Sequence, residues 1–311
     1  MAAPGGSNKA VLAALFANMG IAVAKFVGFL LTSSSSMLAE SVHSVADSGN
    51  QGLLLLGGAR AKRAASTAHP FGYGRERYFW AFVVTVVLFT LGAVFALYEG
   101  YHKLTHPEPL VSPGIAIGIL VFGLIVEGFS LRTAVIESNH ARGTQSWSEF
   151  IRHSKQPELP VILLEDIGAE VGMLFALIGV GLAILTGDPA WDAYGTMSIG
   201  ALLAVIAVVL AIEMKSLLIG EGASPADRDA IEQTIGSSPG VVSLVHLKTQ
   251  HLGPEELLVA AKFTMAADTD FDDVAANIDA IEQRVRERVP TARVIYLEPA
   301  VVTAPAPPGT E

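Results

Sequence analysis

The sequence predicts an α-helical membrane protein of six transmembrane helices followed by a cytoplasmic α+β ferredoxin-like domain of order αββαβ. Two observations carry this. The 311 residues are 51% hydrophobic and only 16% charged, with a mean hydropathy of +0.48, whereas a soluble domain is about 25% charged. The apolar character is also concentrated in segments long enough to cross about 30 Å of hydrocarbon, and it stops near Gly220.

The predicted spans are 9–31, 37–59, 78–101, 113–136, 158–186 and 194–219. The apolar run after MAAPGGSNK is about 22 residues, longer than the roughly 7–15 of a signal-peptide core, so a retained span is expected. The serine run Ser33 to Ser36 suits a short turn and an N-cap for the second span. Prolines in HKLTHPEPLVSPG end the third span and start the fourth, and TGDPAWDAYG joins the fifth to the sixth. Basic residues set the orientation. Arg60, Lys62, Arg63, Arg75 and Arg77 lie in the 2–3 loop, and Arg142, Arg152 and Lys155 in the 4–5 loop, against Lys103 alone in the 3–4 loop. Both termini are therefore expected in the cytoplasm.

After Gly220 the pattern changes. Ser224 and Pro225 cap a helix that stops at Gly236. Val241 to Gln250 and Leu257 to Met265 read as strands with a turn at Gly253–Pro254. Asp270 to Val289 is an amphipathic helix and Arg293 to Leu297 a last strand. The expected boundaries are a cytoplasmic tail at 1–8, the membrane domain at 9–219, the cytoplasmic domain at 220–299 and a disordered tail at 300–311. From Gly220 onward there are 7 Lys and Arg against 15 Asp and Glu. That acidity argues against nucleic acid as a partner, which needs a basic footprint. The chain has no cysteine, so metal ligands are limited to His and carboxylates.

Polar residues inside the spans point toward function. Glu40, His43, Asp47 and Asn50 step by 3, 4 and 3 and share one stripe of the second helix. A charge at mid-bilayer costs about 2.5–3.5 kcal/mol even on lenient scales, so this stripe faces protein, water or an ion. His43 and Asp47 at i and i+4 can reach one divalent metal. The fifth span offers Glu165, Asp166 and Glu170, of which Asp166 and Glu170 share a face. Gly168 and Gly172 there allow close helix contact. Lys25 is expected to snorkel from the end of its span, Asn18 lies on the same segment, and Glu127 sits in the middle of the fourth. From the residues alone two readings stay open: an ion or proton path, and a structural polar network. No HExxH or nucleophile motif supports an enzyme.

The pieces MLAESVHSVADSGNQ, HPFGYGRERYFW, LLEDIGAEVG and GDPAWDAYG, in this order from Lys9 to Pro299, resemble the cation diffusion facilitators, most of all the branch of mitochondrial zinc exporters and their bacterial relatives. The resemblance implies a homodimeric antiporter that exports Zn²⁺, or alternatively Mn²⁺, Fe²⁺, Co²⁺ or Ni²⁺, against H⁺, with no resident cofactor. A bacterial inner membrane is the expected location, and a metal sensor or scaffold without transport is the further alternative. The family's transport site maps onto His43, Asp47 and Asp166. Its fourth position is Ile162, which cannot bind metal; either the site works with three protein ligands plus water, or Glu170, Glu165 or Glu40 substitutes, or the preferred metal is not zinc. The family's loop site retains His69 but has Tyr73 and Ser66 at its other positions. The cytoplasmic sites retain His246 and Glu298, with Lys262 and Tyr296 in the remaining places, so this domain is expected to dimerise and to bind little metal. His251 is expected at the surface.

Overall fold

The computed structural model describes residues 19–107, 109–266 and 269–301. The expectations for residues 1–18, including Asn18, and for 302–311 fall outside this range. The chain divides into two compact units, one of residues 1–59 and 77–215, the other of residues 60–76 and 216–311.

The first unit holds α1 (Met19–Thr32), α2 (Ser35–Ala61), α3 (Glu76–Thr105), α4 (Pro113–Arg142), α5 (Trp147–His153), α6 (Glu158–Thr186) and most of α7 (Ala190–Ile219). Four of these, α3, α4, α6 and α7, are long and apolar enough to cross a membrane. Helix α2 has 27 residues, about 40 Å at 1.5 Å per residue, but its polar stripe holds its hydropathy down. Helix α3 passes through a π-helical turn at Leu88–Val94. The short α5 was not anticipated, although Ser146 and Glu149 form a full capping box at its start. At the starts of two long helices, Arg77 donates twice to Glu158, at 2.5 and 2.8 Å, tying α3 to α6.

The serine run works differently from the simple cap expected of it. Asp192, in the first turn of α7, is fully buried and accepts from Ser34 Oγ at 2.8 Å, from the Ser35 N–H at 2.8 Å, from Ser35 Oγ at 3.1 Å and from Ser36 Oγ at 2.6 Å. One carboxylate thus takes up the first-turn donors of α2, where the helix dipole favours an anion. Ser33 is left-handed at φ 53°, and its carbonyl accepts from Lys103 Nζ at 2.5 Å. Helices α6 and α7 meet closely at Gly179, where a Cβ would stand 2.8 Å from the Trp191 carbonyl oxygen.

Lys25 does not snorkel. Its side chain is completely buried, donating to Glu40 Oε2 at 3.1 Å, Ser44 Oγ at 2.9 Å and Glu127 Oε1 at 3.0 Å. It therefore joins α1, α2 and α4. A buried ammonium needs carboxylate partners more than it needs a path to water.

The second unit runs α8 (Pro225–Gly236), β1 (Val241–Gly253), β2 (Glu256–Met265), α9 (Phe271–Arg288) and β3 (Ala292–Val301). Strand β2 lies between antiparallel β1 and parallel β3. The order is αββαβ, one strand short of the four in a full ferredoxin-like sheet. Ser224 caps α8 by accepting from Asp227 N–H, with Pro225 in the first turn, and Asp270 caps α9. Alternate residues of β2, from Leu257 through Val259, Ala261 and Phe263 to Met265, face Ile231, Ile235, Ile281 and Val285 of the two helices. That is the period-2 pattern of a half-buried sheet. Strand β3 extends past the expected Leu297, so Ala300 and Val301 belong to it rather than to a tail. Pro299 is tolerated because β3 is an edge strand.

Replacing Asp192 with Ala should destabilise the helical unit by roughly 3 kcal/mol, since several buried hydroxyls and an amide lose their acceptor together. Denaturant unfolding in detergent micelles, followed by far-UV circular dichroism, measures it.

Candidate metal centre

The stripe on α2 faces protein throughout. Glu40, His43 and Asn50 are fully buried. Asn50 donates to Glu165 Oε1 at 2.6 Å, so Glu165 is already engaged by a neighbour. Glu40 gives one oxygen to Lys25, while its other oxygen, Oε1, is buried with no hydrogen-bond partner. Gly172 on α6 makes room for that carboxylate: a Cβ there would stand 2.6 Å from Oε1.

His43 differs from a satisfied core histidine. Neither ring nitrogen has a hydrogen-bond partner. Its Nε2 stands 3.4 Å from Asp47 Oδ2, a charge contact but longer than the about 2.7–3.2 Å of an N–H···O hydrogen bond. Asp47 Oδ1 and Glu170 Oε2 are buried and unpartnered as well. Asp166 accepts from Ser130 Oγ of α4 at 3.0 Å. The charges of Glu165, Glu127, Lys25 and Asp166 all act on Asp47. The α2 and α6 candidates therefore share one electrostatic neighbourhood. Among the described residues, no three His, Asp or Glu side chains stand close enough together to hold a metal ion.

Sequence reasoning named Lys25 and Glu127 without their partners, and did not find Ser130 or Gly92. Lys25 was misread. Glu127 and Ser130 of α4 are three apart and so share a face; that spacing was visible in the sequence, but nothing indicated which helix the face meets. Gly92 lies in the π turn of α3, where a Cβ would sit 3.9 Å from His43 Nδ1. π turns of this kind concentrate at functional sites.

The other candidates do not assemble. His69 is exposed and lies against Tyr73 with ring centroids 4.6 Å apart and the planes tilted by 31°, in a loop where Ser66 and Tyr73 hydroxyls meet at 3.2 Å. In the sheet, His246 on β1, Lys262 on β2 and Glu298 on β3 are adjacent in register. Lys262 donates to Glu298 at 2.7 Å and holds that carboxylate below its ordinary range, first through the hydrogen bond and then through its charge. An ammonium thus occupies the middle of the row. His251 is buried, not at the surface, with Nδ1 3.3 Å from the Gly253 carbonyl oxygen.

A family model described as the cation efflux transmembrane domain matches residues 11–219. The proton-coupled zinc antiporter SLC30A9, mitochondrial, of Mus musculus is 33% identical over 270 residues, covering 86% of this chain and 46% of the relative. Metal tolerance protein C4 of Arabidopsis thaliana is 29% identical over 268 residues, covering 86% and 57%. The chain spans about half the length of the curated relatives it matches. Among solved structures, a variant of MamM-CTD overlays its whole length on 26% of this chain at 14% identity and a TM-score of 0.25.

Two outcomes check the geometry. Gly172→Ala should lower metal flux in proteoliposomes about tenfold or more, because the methyl group displaces Glu40 from its pocket. Lys262→Asp should create a new Zn²⁺ site between His246 and Glu298, seen by calorimetry as one added binding event that His246→Ala removes; the unsubstituted row should bind none.

Proposed function

The chain belongs to the cation efflux family, and from that premise we propose that it is a secondary transporter that exports a divalent metal from the cytoplasm in exchange for protons. The cargo is Zn²⁺, with Mn²⁺, Fe²⁺, Co²⁺ and Ni²⁺ as the alternatives that a one-nitrogen, several-oxygen site also accommodates. What carries this reading is His43: an imidazole sealed inside a membrane-type helical unit, with both nitrogens unsatisfied, beside an orphaned Asp47 oxygen. A structural histidine in that setting is hydrogen-bonded. The zinc antiporter and metal tolerance proteins it resembles support the same assignment.

In this proposal His43, Asp47 and Asp166 are the protein ligands, Glu170 is the first candidate for the place Ile162 leaves open, and Glu40 and Glu165 are held back by Lys25 and Asn50. All of these groups must be deprotonated to bind a cation, so loading releases protons and protonation from the far side expels the ion. Six helices would rock to expose the site to one side and then the other. Both termini would be cytoplasmic, in a bacterial inner membrane. The αββαβ unit would join two copies without a metal cluster of its own.

Purified protein in liposomes carrying a metal-sensitive dye and a pH gradient tests this. His43→Ala and Asp47→Ala should each reduce Zn²⁺ uptake by more than about tenfold, and collapsing the pH gradient should slow the unsubstituted protein. Unchanged uptake in both variants refutes the site. Retained binding without flux in the unsubstituted protein would identify a sensor instead. Competition among Zn²⁺, Mn²⁺, Co²⁺ and Ni²⁺ ranks the cargo.

A further inference from the structure

We propose that Glu127 of α4 supplies the metal ligand that Ile162 cannot, and that Lys25 is a tethered cation which occupies this carboxylate until the metal takes it. The inference rests on the metal-transport reading above and adds a third helix and a competitor to it.

The geometry points to Glu127 on three counts. Glu127 and Ser130 lie on one face of α4, and Ser130 touches Asp166, so the face that carries Glu127 is turned toward the fifth-span ligand. Glycines flank it on that side: a Cβ at Gly128 would stand 3.7 Å from Glu170 Oε1, and one at Gly123 would stand 3.6 Å from Lys25 Cε. Finally, the charge of Glu127 acts on His43, Asp47, Asp166 and Glu170 alike.

The second half of the proposal follows from counting charges. One ammonium faces two carboxyl groups, Glu40 at 3.1 Å and Glu127 at 3.0 Å. Only one of them can be matched by it. Glu40 is wholly buried, but the Glu127 side chain is 16% exposed, so it is the partner that can turn without opening the core. Ser44 also accepts from Lys25 at 2.9 Å and sits next to His43 in sequence. The charges of both Lys25 and Glu127 act on His43 and Asp47, whose ring nitrogens and Oδ1 are buried without a hydrogen-bond partner. A doubly charged ion entering there offers Glu127 a stronger partner than a shared ammonium. Lys25 keeps Glu40 in both states, so no bare charge is left behind in the core.

Metal binding to the full-length protein in nanodiscs, measured by calorimetry with ZnCl₂ and with MnCl₂, tests both parts. Glu127→Gln still accepts a hydrogen bond and leaves Lys25 paired one to one with Glu40. It should weaken Zn²⁺ binding by about tenfold or more. Lys25→Met/Glu40→Gln removes the competitor without changing net charge and should tighten binding several-fold while slowing release in the flux assay. Adding Glu127→Gln to that pair should abolish the gain. The triple variant carries no charge at the trio, so comparing it with the double isolates residue 127 even if the single variant does not fold. Equal affinity in those two, or binding by Glu127→Gln equal to the unsubstituted protein, overturns the proposal. If His43→Ala then still abolishes flux, only the role of Glu127 has failed. If His43→Ala is also without effect, the metal path itself has been misplaced.

Discussion

The constraint on which the helical unit depends is the cost of a buried ammonium. An ion such as Lys25 costs several kcal/mol to desolvate even after relaxation, and the cost is offset only when carboxylates and further acceptors surround it. Glu40, Glu127 and Ser44 do so. Since each comes from α2 or α4 while the lysine comes from α1, the requirement fixes which faces of three helices must converge. Apolar packing alone would not, because lipid tails are as hydrophobic as leucine and set no preferred partner. The register of the α2 stripe follows from it: once Glu40 and Ser44 are placed on Lys25, His43 and Asp47 are carried to the adjoining position.

Buried polar groups in this unit fall into two kinds, and the difference separates structure from chemistry. Asp192 is saturated by donors from the serine run, and the Asn50 amide nitrogen is matched to Glu165, although Asn50 Oδ1 itself has no partner. These groups are spent on holding helices together. His43, one oxygen of Asp47 and one of Glu170 have no partner. An unsatisfied buried donor or acceptor costs about 1–3 kcal/mol. The same unit supplies partners thoroughly at Asp192 and leaves these atoms unsatisfied about two turns further along α2 and on α6.

The legible parts of this protein were those governed by local physics. The helix caps at Ser224 and Asp270 and the alternation along β2 followed from residue order alone. So did the sharing of one face by Glu40, His43, Asp47 and Asn50, because a 3.6-residue period needs no tertiary information. What failed were judgements that needed to know which neighbour a side chain meets. Lys25 looked like a snorkelling residue because its partners are 15 and 102 positions away. The serine run looked self-capping because Asp192 is more than 150 positions distant. His251 looked superficial because strand β1 runs three residues past its expected end. The short α5 is the exception: its capping box was local and simply passed over.

The two lysines that meet carboxylates in this chain solve one electrostatic problem in different media. Lys262 sits on an open sheet face beside a largely exposed Glu298. Water screens both, the pair is worth little, and its effect is mainly to put a positive charge where a metal would need a ligand. Lys25 is enclosed, where screening is weak and the same contact is far stronger. There a lysine cannot be neutral ground. It must either exclude a second cation altogether or share its neighbourhood with enough negative charge that one carboxylate is left over. The presence of Glu127 beside Glu40 satisfies the second condition and fails the first. A buried lysine with a single carboxylate would be fully matched; a buried lysine with two leaves one of them in excess.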